Sequence, residues 1–164
     1  MRFTLGSFML LNANVIKCLI VEDDPFKMEG IRTYLSQIFT GKVEVFGCQA
    51  LASATVLLGS HAFDVAIIDM SIHSHEPEKG TGSPFPLSSG GLDVLFEIAY
   101  SGAGTPCIIL TQYPDIDIET LPIPVERAKH EIYEKFDIEV AGCVRYLENN
   151  GQWKADLLEI LEQL

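Results

Sequence analysis

Positive charge is scarce in this chain of 164 residues. Eleven lysines and arginines stand against 23 aspartates and glutamates, a formal charge of −12 at pH 7. A nucleic-acid-binding domain needs a basic footprint to neutralise phosphates, so that class is excluded for the chain acting alone, and a basic or polar protein surface suits it better as a partner. Long hydrophobic runs are also missing. Nothing approaches the roughly 18 consecutive apolar residues of a membrane span. Cysteine is sparse, and Cys18, Cys48, Cys107 and Cys143 form no C-x-x-C pair. They read as reduced thiols in a cytoplasmic protein rather than as a metal or redox motif. A signal peptide is not expected, because Asn12 and Asn14 interrupt the short apolar stretch at Phe8 to Leu11 and no cleavage pattern follows. Residues 1–14 read instead as an N-terminal arm. There is no internal repeat and no second domain.

Apolar residues make up 48% of the chain and charged residues 21%, the balance of a globular domain. Short apolar runs alternate with segments of helical period. Val15 to Val21 predicts a strand buried on both faces. Asp24-Pro25 supplies an N-cap followed by proline at the first helical position, and Met28, Ile31, Tyr34, Leu35 and Ile38 continue at helical spacing. Strands are predicted again at Val43 to Phe46, Val65 to Ile68, Cys107 to Leu110 and Cys143 to Leu147. Helices are predicted at Ala50 to Leu58, Gly90 to Tyr100, Val125 to about Phe136, and from Trp153 to the end. Five strands, each followed by a helix, imply a doubly wound α/β domain with a parallel sheet covered on both faces.

Two of these strands end abruptly in carboxylate: Val21-Glu22-Asp23-Asp24-Pro25 and Val65-Ala66-Ile67-Ile68-Asp69. In an open parallel sheet, the crevice beyond the carboxyl ends of the strands is where ligands bind. If the two strands are neighbours, Glu22, Asp23 and Asp69 converge, and three carboxylates at one point repel unless a cation sits among them. An all-oxygen donor set of this kind suits Mg2+, which keeps several waters and takes a phosphate readily. The pattern therefore points to a divalent-metal, phosphate-handling site.

The acidic pair after the first strand, the lone Asp69 after the third, Thr111 after the fourth and Tyr146 near the end of the fifth, taken together, resemble a receiver domain of a two-component response regulator. The resemblance covers residues 15–164 and implies the flavodoxin-like (βα)5 sheet with order 2-1-3-4-5. It implies that Asp69 accepts a phosphoryl group, that Glu22, Asp23, Asp69 and the backbone carbonyl of Ser71 hold Mg2+, that Thr111 bonds a phosphoryl oxygen, and that Tyr146 is the aromatic that changes rotamer with it. It also implies a histidine kinase or phosphotransfer protein as donor and a downstream protein effector as the output, with no attached DNA-binding or enzymatic domain. Homodimerisation is left open.

The chain departs from that pattern in three places. The family carries a lysine after the fifth strand, and here the position holds Asn149, followed by Asn150, so the site is expected to lack its cation; Lys79 from a long loop is the one substitute considered. Two insertions, at about 71–89 and 112–125, flank the site and read as long loops, a lid or a partner surface. Gln112 replaces a small residue. Within the first insertion, His73-Ser74-His75-Glu76 reads as solvated polar loop. Two rival functions follow. One is a phosphorylation-independent pseudo-receiver serving as a binding module, favoured by the missing lysine and the long loops. The other is a Mg2+-dependent phosphohydrolase or a Toprim-like nuclease module, which the Ser71 in place of a second acid disfavours.

Overall fold

The computed structural model describes residues 15–76 and 82–164; the N-terminal arm and Lys79 lie outside them. Its sheet is built from five strands, β1 (Ile16–Val21), β2 (Val43–Cys48), β3 (Val65–Ile68), β6 (Cys107–Thr111) and β9 (Gly142–Arg145), all parallel, in the order β2-β1-β3-β6-β9. This is the expected 2-1-3-4-5 order of a doubly wound sheet. The helices are α1 (Pro25–Ile38), α2 (Leu51–Ser60), α3 (Gly90–Ser101), α4 (Val125–Phe136) and α5 (Gln152–Leu161).

The central strands are apolar over most of their length because both faces are covered, and alternate residues feed two separate cores. On one face Ile16, Cys18, Ile20, Ile67, Ile108 and Leu110 meet Ile31 and Leu35 of α1 and Trp153, Leu157 and Leu161 of α5. On the other, Leu19, Val21, Ile68 and Ile109 meet Leu95 and Ile98 of α3 and Ala128 and Ile132 of α4. The predicted start of α1 holds in detail: the Asp24 side chain accepts from the backbone N–H groups of Phe26 and Lys27, with Pro25 leading the helix.

The two insertions are not simple loops. In the first, β4 (Ile72–His73) pairs antiparallel with β5 (Pro86–Leu87). In the second, β7 (Asp115–Ile118) and β8 (Leu121–Pro124) form an antiparallel ribbon, turned by Glu119 and Thr120 at φ 50° and 69°. Asp-Ile-Asp-Ile is a period-two signal, and Ile116 and Ile118 are indeed buried in the α3–α4 core while both aspartates face out. Pro114, Pro122 and Pro124 mask the signal in the sequence. The ribbon tolerates the last two because an isolated two-stranded ribbon has free edges, where a missing N–H costs nothing.

Candidate functional site

The parallel register brings the carboxyl ends of β1, β3 and β6 together. Val21 stands beside Ile68, and Ile68 beside Ile109, so the residues that follow must share one crevice. Carboxylate oxygens of Glu22, Asp23 and Asp69 lie within 4.8 Å of one another. Glu22 and Asp69 are almost fully buried, and Asp23 is half-buried. Backbone donors hold two of them: the Asp24 N–H donates to Glu22 Oε1 at 2.9 Å and the Met70 N–H to Asp69 Oδ1 at 2.9 Å.

A cation is present at the site. Lys27 Nζ lies 2.6 Å from Glu22 Oε2 and 3.3 Å from Asp69 Oδ1, donates to the Leu110 carbonyl at 2.8 Å, and sits 5.6 Å from the centre of the Tyr146 ring. Lys27 is only 2% exposed. This overturns the expectation of a site without a positive charge. Asn149 lies exposed in the turn after β9, and the charge comes from the first turns of α1 instead. The sequence did carry a signal. Lys27, Ile31 and Leu35 recur every four residues, and all three are the buried residues of α1, so the lysine occupies the core-facing stripe of the helix.

Burial dominates the electrostatics. It pushes Glu22 up from 4.5 to about 7, against the pull of Lys27 and with the help of the nearby Asp69 charge. It raises Asp69 as well, again against Lys27. Glu22 Oε2 is buried against the Lys27 ammonium as a close ion pair and has no other polar partner. One lysine therefore does not satisfy the three carboxylates. A second, divalent cation with oxygen preference fits what remains.

The other expected site residues also reach this end of the sheet. Thr111 closes β6 fully buried, and its Oγ1 accepts from the Tyr113 N–H at 3.3 Å. Tyr146, one residue past β9, donates its N–H to the Thr111 carbonyl at 2.7 Å and packs its ring on Trp153 at 4.9 Å between centroids. Ser71, Thr111 and Met70 line a crevice of ≈340 Å3 whose far wall is Tyr113, Asp115 and Asp117 of the second insertion. Two side chains of the polar segment 73–76 make specific contacts. His73 Nδ1 meets Asp23 Oδ2 at 2.9 Å, and Glu76 accepts from Ser53 Oγ at 2.9 Å. Gly91 at the start of α3 packs directly on the Asp69 carbonyl and Met70, where any Cβ would collide with backbone.

No family model matches the chain. It is 34% identical over 146 residues to the Detocs response regulatory protein DtcB of Vibrio alginolyticus, which spans 88% of this chain and 98% of that protein. The chain belongs to the DtcB family of response regulatory proteins. A second DtcB, from Enterobacter cloacae, is 27% identical over 152 residues, covering 91% of this chain and all of that one. Among solved structures, the receiver domain of HemR from Leptospira biflexa superposes with a TM-score of 0.59 at 18% identity, over 89% of this chain and 94% of that one. The signal receiver domain of a LuxO repressor protein from Vibrio parahaemolyticus gives 0.60 at 15% identity, over 91% and 92%. The fold is that of a response-regulator receiver, a signalling domain rather than an enzyme. In this DtcB relative, Glu22, Asp23, Asp69, Thr111 and Tyr146 stand at strand ends on one edge of the sheet, and the lysine among them comes from α1.

Proposed function

We propose that this DtcB-family chain is a phosphoryl-accepting receiver. Asp69 is the nucleophile, Glu22, Asp23, Asp69 and the Ser71 carbonyl hold Mg2+, and the donor is a histidine kinase or phosphotransfer protein. The observation that carries the reading is the convergence of three carboxylates at one strand-end crevice, with a single lysine as their buried counter-charge. Mg2+ when bound would offset negative charge on an incoming phosphoryl group.

The residues themselves do the rest. Asp69 Oδ1 is occupied by the Met70 N–H and Lys27, which leaves Oδ2 to attack. The Oδ2–P bond forms as the donor's P–N bond breaks, and the nitrogen departs with the electron pair and takes up a proton from solvent. Burial raises Asp69, so cations at the site also serve to keep the nucleophile ionised. Thr111 lines a crevice with Met70 and Ser71, the residues that follow Asp69, and its hydroxyl suits a phosphoryl oxygen. Output through protein contact, with a protein effector downstream, suits a chain whose charge balance is so acidic. Four free thiols suit the reducing cytoplasm, and no helix among the described residues is long and apolar enough to cross a membrane.

The test uses phosphoramidate or acetyl phosphate with Mg2+ and intact-mass measurement. Wild type should gain one phosphoryl group that is stable in acid and labile in alkali. Asp69→Asn should gain none. A wild type that neither gains the group nor binds beryllofluoride overturns the reading in favour of the binding module. The main reason for preferring that module was the missing cation, and Lys27 removes it.

A further inference from the structure

Resting on the assignment of Asp69 as acceptor, we infer that Lys27 is the phosphoryl-binding cation of this receiver, delivered by helix α1 rather than by the turn that holds Asn149. A buried ammonium has three N–H donors to place, and each one left unpaired is costly. Lys27 has three anionic or carbonyl oxygens within 3.3 Å: Glu22 Oε2, Asp69 Oδ1 and the Leu110 carbonyl. The Tyr146 ring lies beyond them. The Leu110 carbonyl fixes the ammonium at the end of β6, one residue before Thr111, so the two groups suited to phosphoryl oxygens flank Asp69 together.

Position also gives the ammonium a place to go. Its shorter contact is to Glu22, not to Asp69. When Glu22 turns its charge to a divalent cation and Asp69 becomes an acyl phosphate, both of the lysine's acidic partners are drawn away from it. The negative charge left within reach is then on the phosphoryl oxygens. Lys27 transfers no atom; it changes partners. A structural lysine would only neutralise the Glu22–Asp69 pair and would not follow the phosphoryl group.

Two measurements separate these roles. The first uses wild type with ζ-15N-labelled lysine. The buried, slowly exchanging ammonium of Lys27 should shift on adding beryllofluoride with Mg2+, beyond any shift with Mg2+ alone. An unmoved resonance in a protein that binds beryllofluoride overturns the inference while leaving Asp69 as acceptor. The second compares beryllofluoride affinity, by calorimetry in saturating Mg2+, for wild type, Lys27→Met and the double variant Lys27→Met/Asn149→Lys. Loss of a charge-assisted bond should weaken Lys27→Met about 10- to 100-fold, with Mg2+ affinity not reduced. The double variant returns a cation from the turn after β9 and should recover part of that loss. Lys27→Met binding as tightly as wild type refutes the role. If Lys27→Met does not fold, the ammonium resonance of wild type decides alone. If wild type binds no beryllofluoride and accepts no phosphoryl group, the failure lies in the acceptor assignment itself.

Discussion

The two ends of the parallel sheet are built on opposite principles. At the carboxyl end, Glu22, Lys27, Asp69 and Thr111 are all buried with at most 3% exposure. At the amino end, Thr105 is the buried polar residue among those described, and its Oγ1 donates to the Phe63 carbonyl at 3.2 Å. Beside it is a cavity of ≈490 Å3 walled largely by Leu95, Ile98, Pro106, Cys107, Ile138 and Leu164. The buried strand residues between the two ends are apolar. Buried charge is destabilising unless it is paired, so its confinement to one end marks where the fold accepts a cost for chemistry. The amino end has only to close the core.

The comparison is broken most severely by removing the lysine. In chelator at neutral pH, Lys27→Met takes the counter-charge from two buried carboxyls, which must then stay as unpaired charge or take up protons, and should cost about 3–5 kcal/mol. Adding Glu22→Gln to Lys27→Met should recover much of that loss, because the two residues share one interaction. Urea unfolding of the single and double variants reads both. Additive losses would mean that the ion pair contributes nothing to stability.

A smaller effect comes from pH. Glu22 is raised on folding from 4.5 to about 7, and Asp69 is raised too. A carboxyl with a raised native pKa binds its proton more tightly when folded. Its contribution is therefore complete below about pH 4.5 and is lost as the pH rises through 7. For Glu22 alone this is worth up to about 3 kcal/mol. Metal-free protein should show this falling component between pH 4.5 and 7, and Glu22→Gln should remove most of it. Saturating Mg2+ should flatten it as well. Identical pH profiles for wild type and Glu22→Gln would show that the carboxylate is better solvated than its burial implies.

At the amino end, Thr105→Val removes one neutral hydrogen bond and should cost about 1 kcal/mol. It should leave phosphoryl transfer and beryllofluoride affinity unchanged. A loss of either would join the two ends that the structure separates. The smallest effect is expected at the surface. Lys135→Ala breaks the 3.2 Å pair with Glu119 at the ribbon turn, where Glu119 is 62% exposed. Exposed pairs of this kind are worth about 0–1 kcal/mol, so its thermal midpoint should match wild type within a degree or two in physiological salt.

Much of the molecule follows from local pattern. Runs such as Ile16 to Val21 and Val65 to Ile68 are apolar on both faces, which dictates a covered parallel sheet. Asp24-Pro25 starts a helix through chemistry contained in a few neighbouring residues. Acids placed just after two such strands announce a crevice whatever the remaining chain does, and Glu22, Asp23 and Asp69 could be read directly. Tertiary structure decided what pairs across distance. Lys27 looks like one more charged residue on a helix until α1 is laid on the sheet. Then a flexible four-carbon stem carries its ammonium past β1 to the carbonyl of Leu110, 83 positions away. His73 finds Asp23 only when β4 folds back beside the site. The Asp115–Ile118 alternation gains its meaning from the core that receives Ile116 and Ile118. Periodicity is a property of neighbours along the chain. The balance of charge in a buried site is a sum over neighbours in space, and only the packed fold brings those neighbours together.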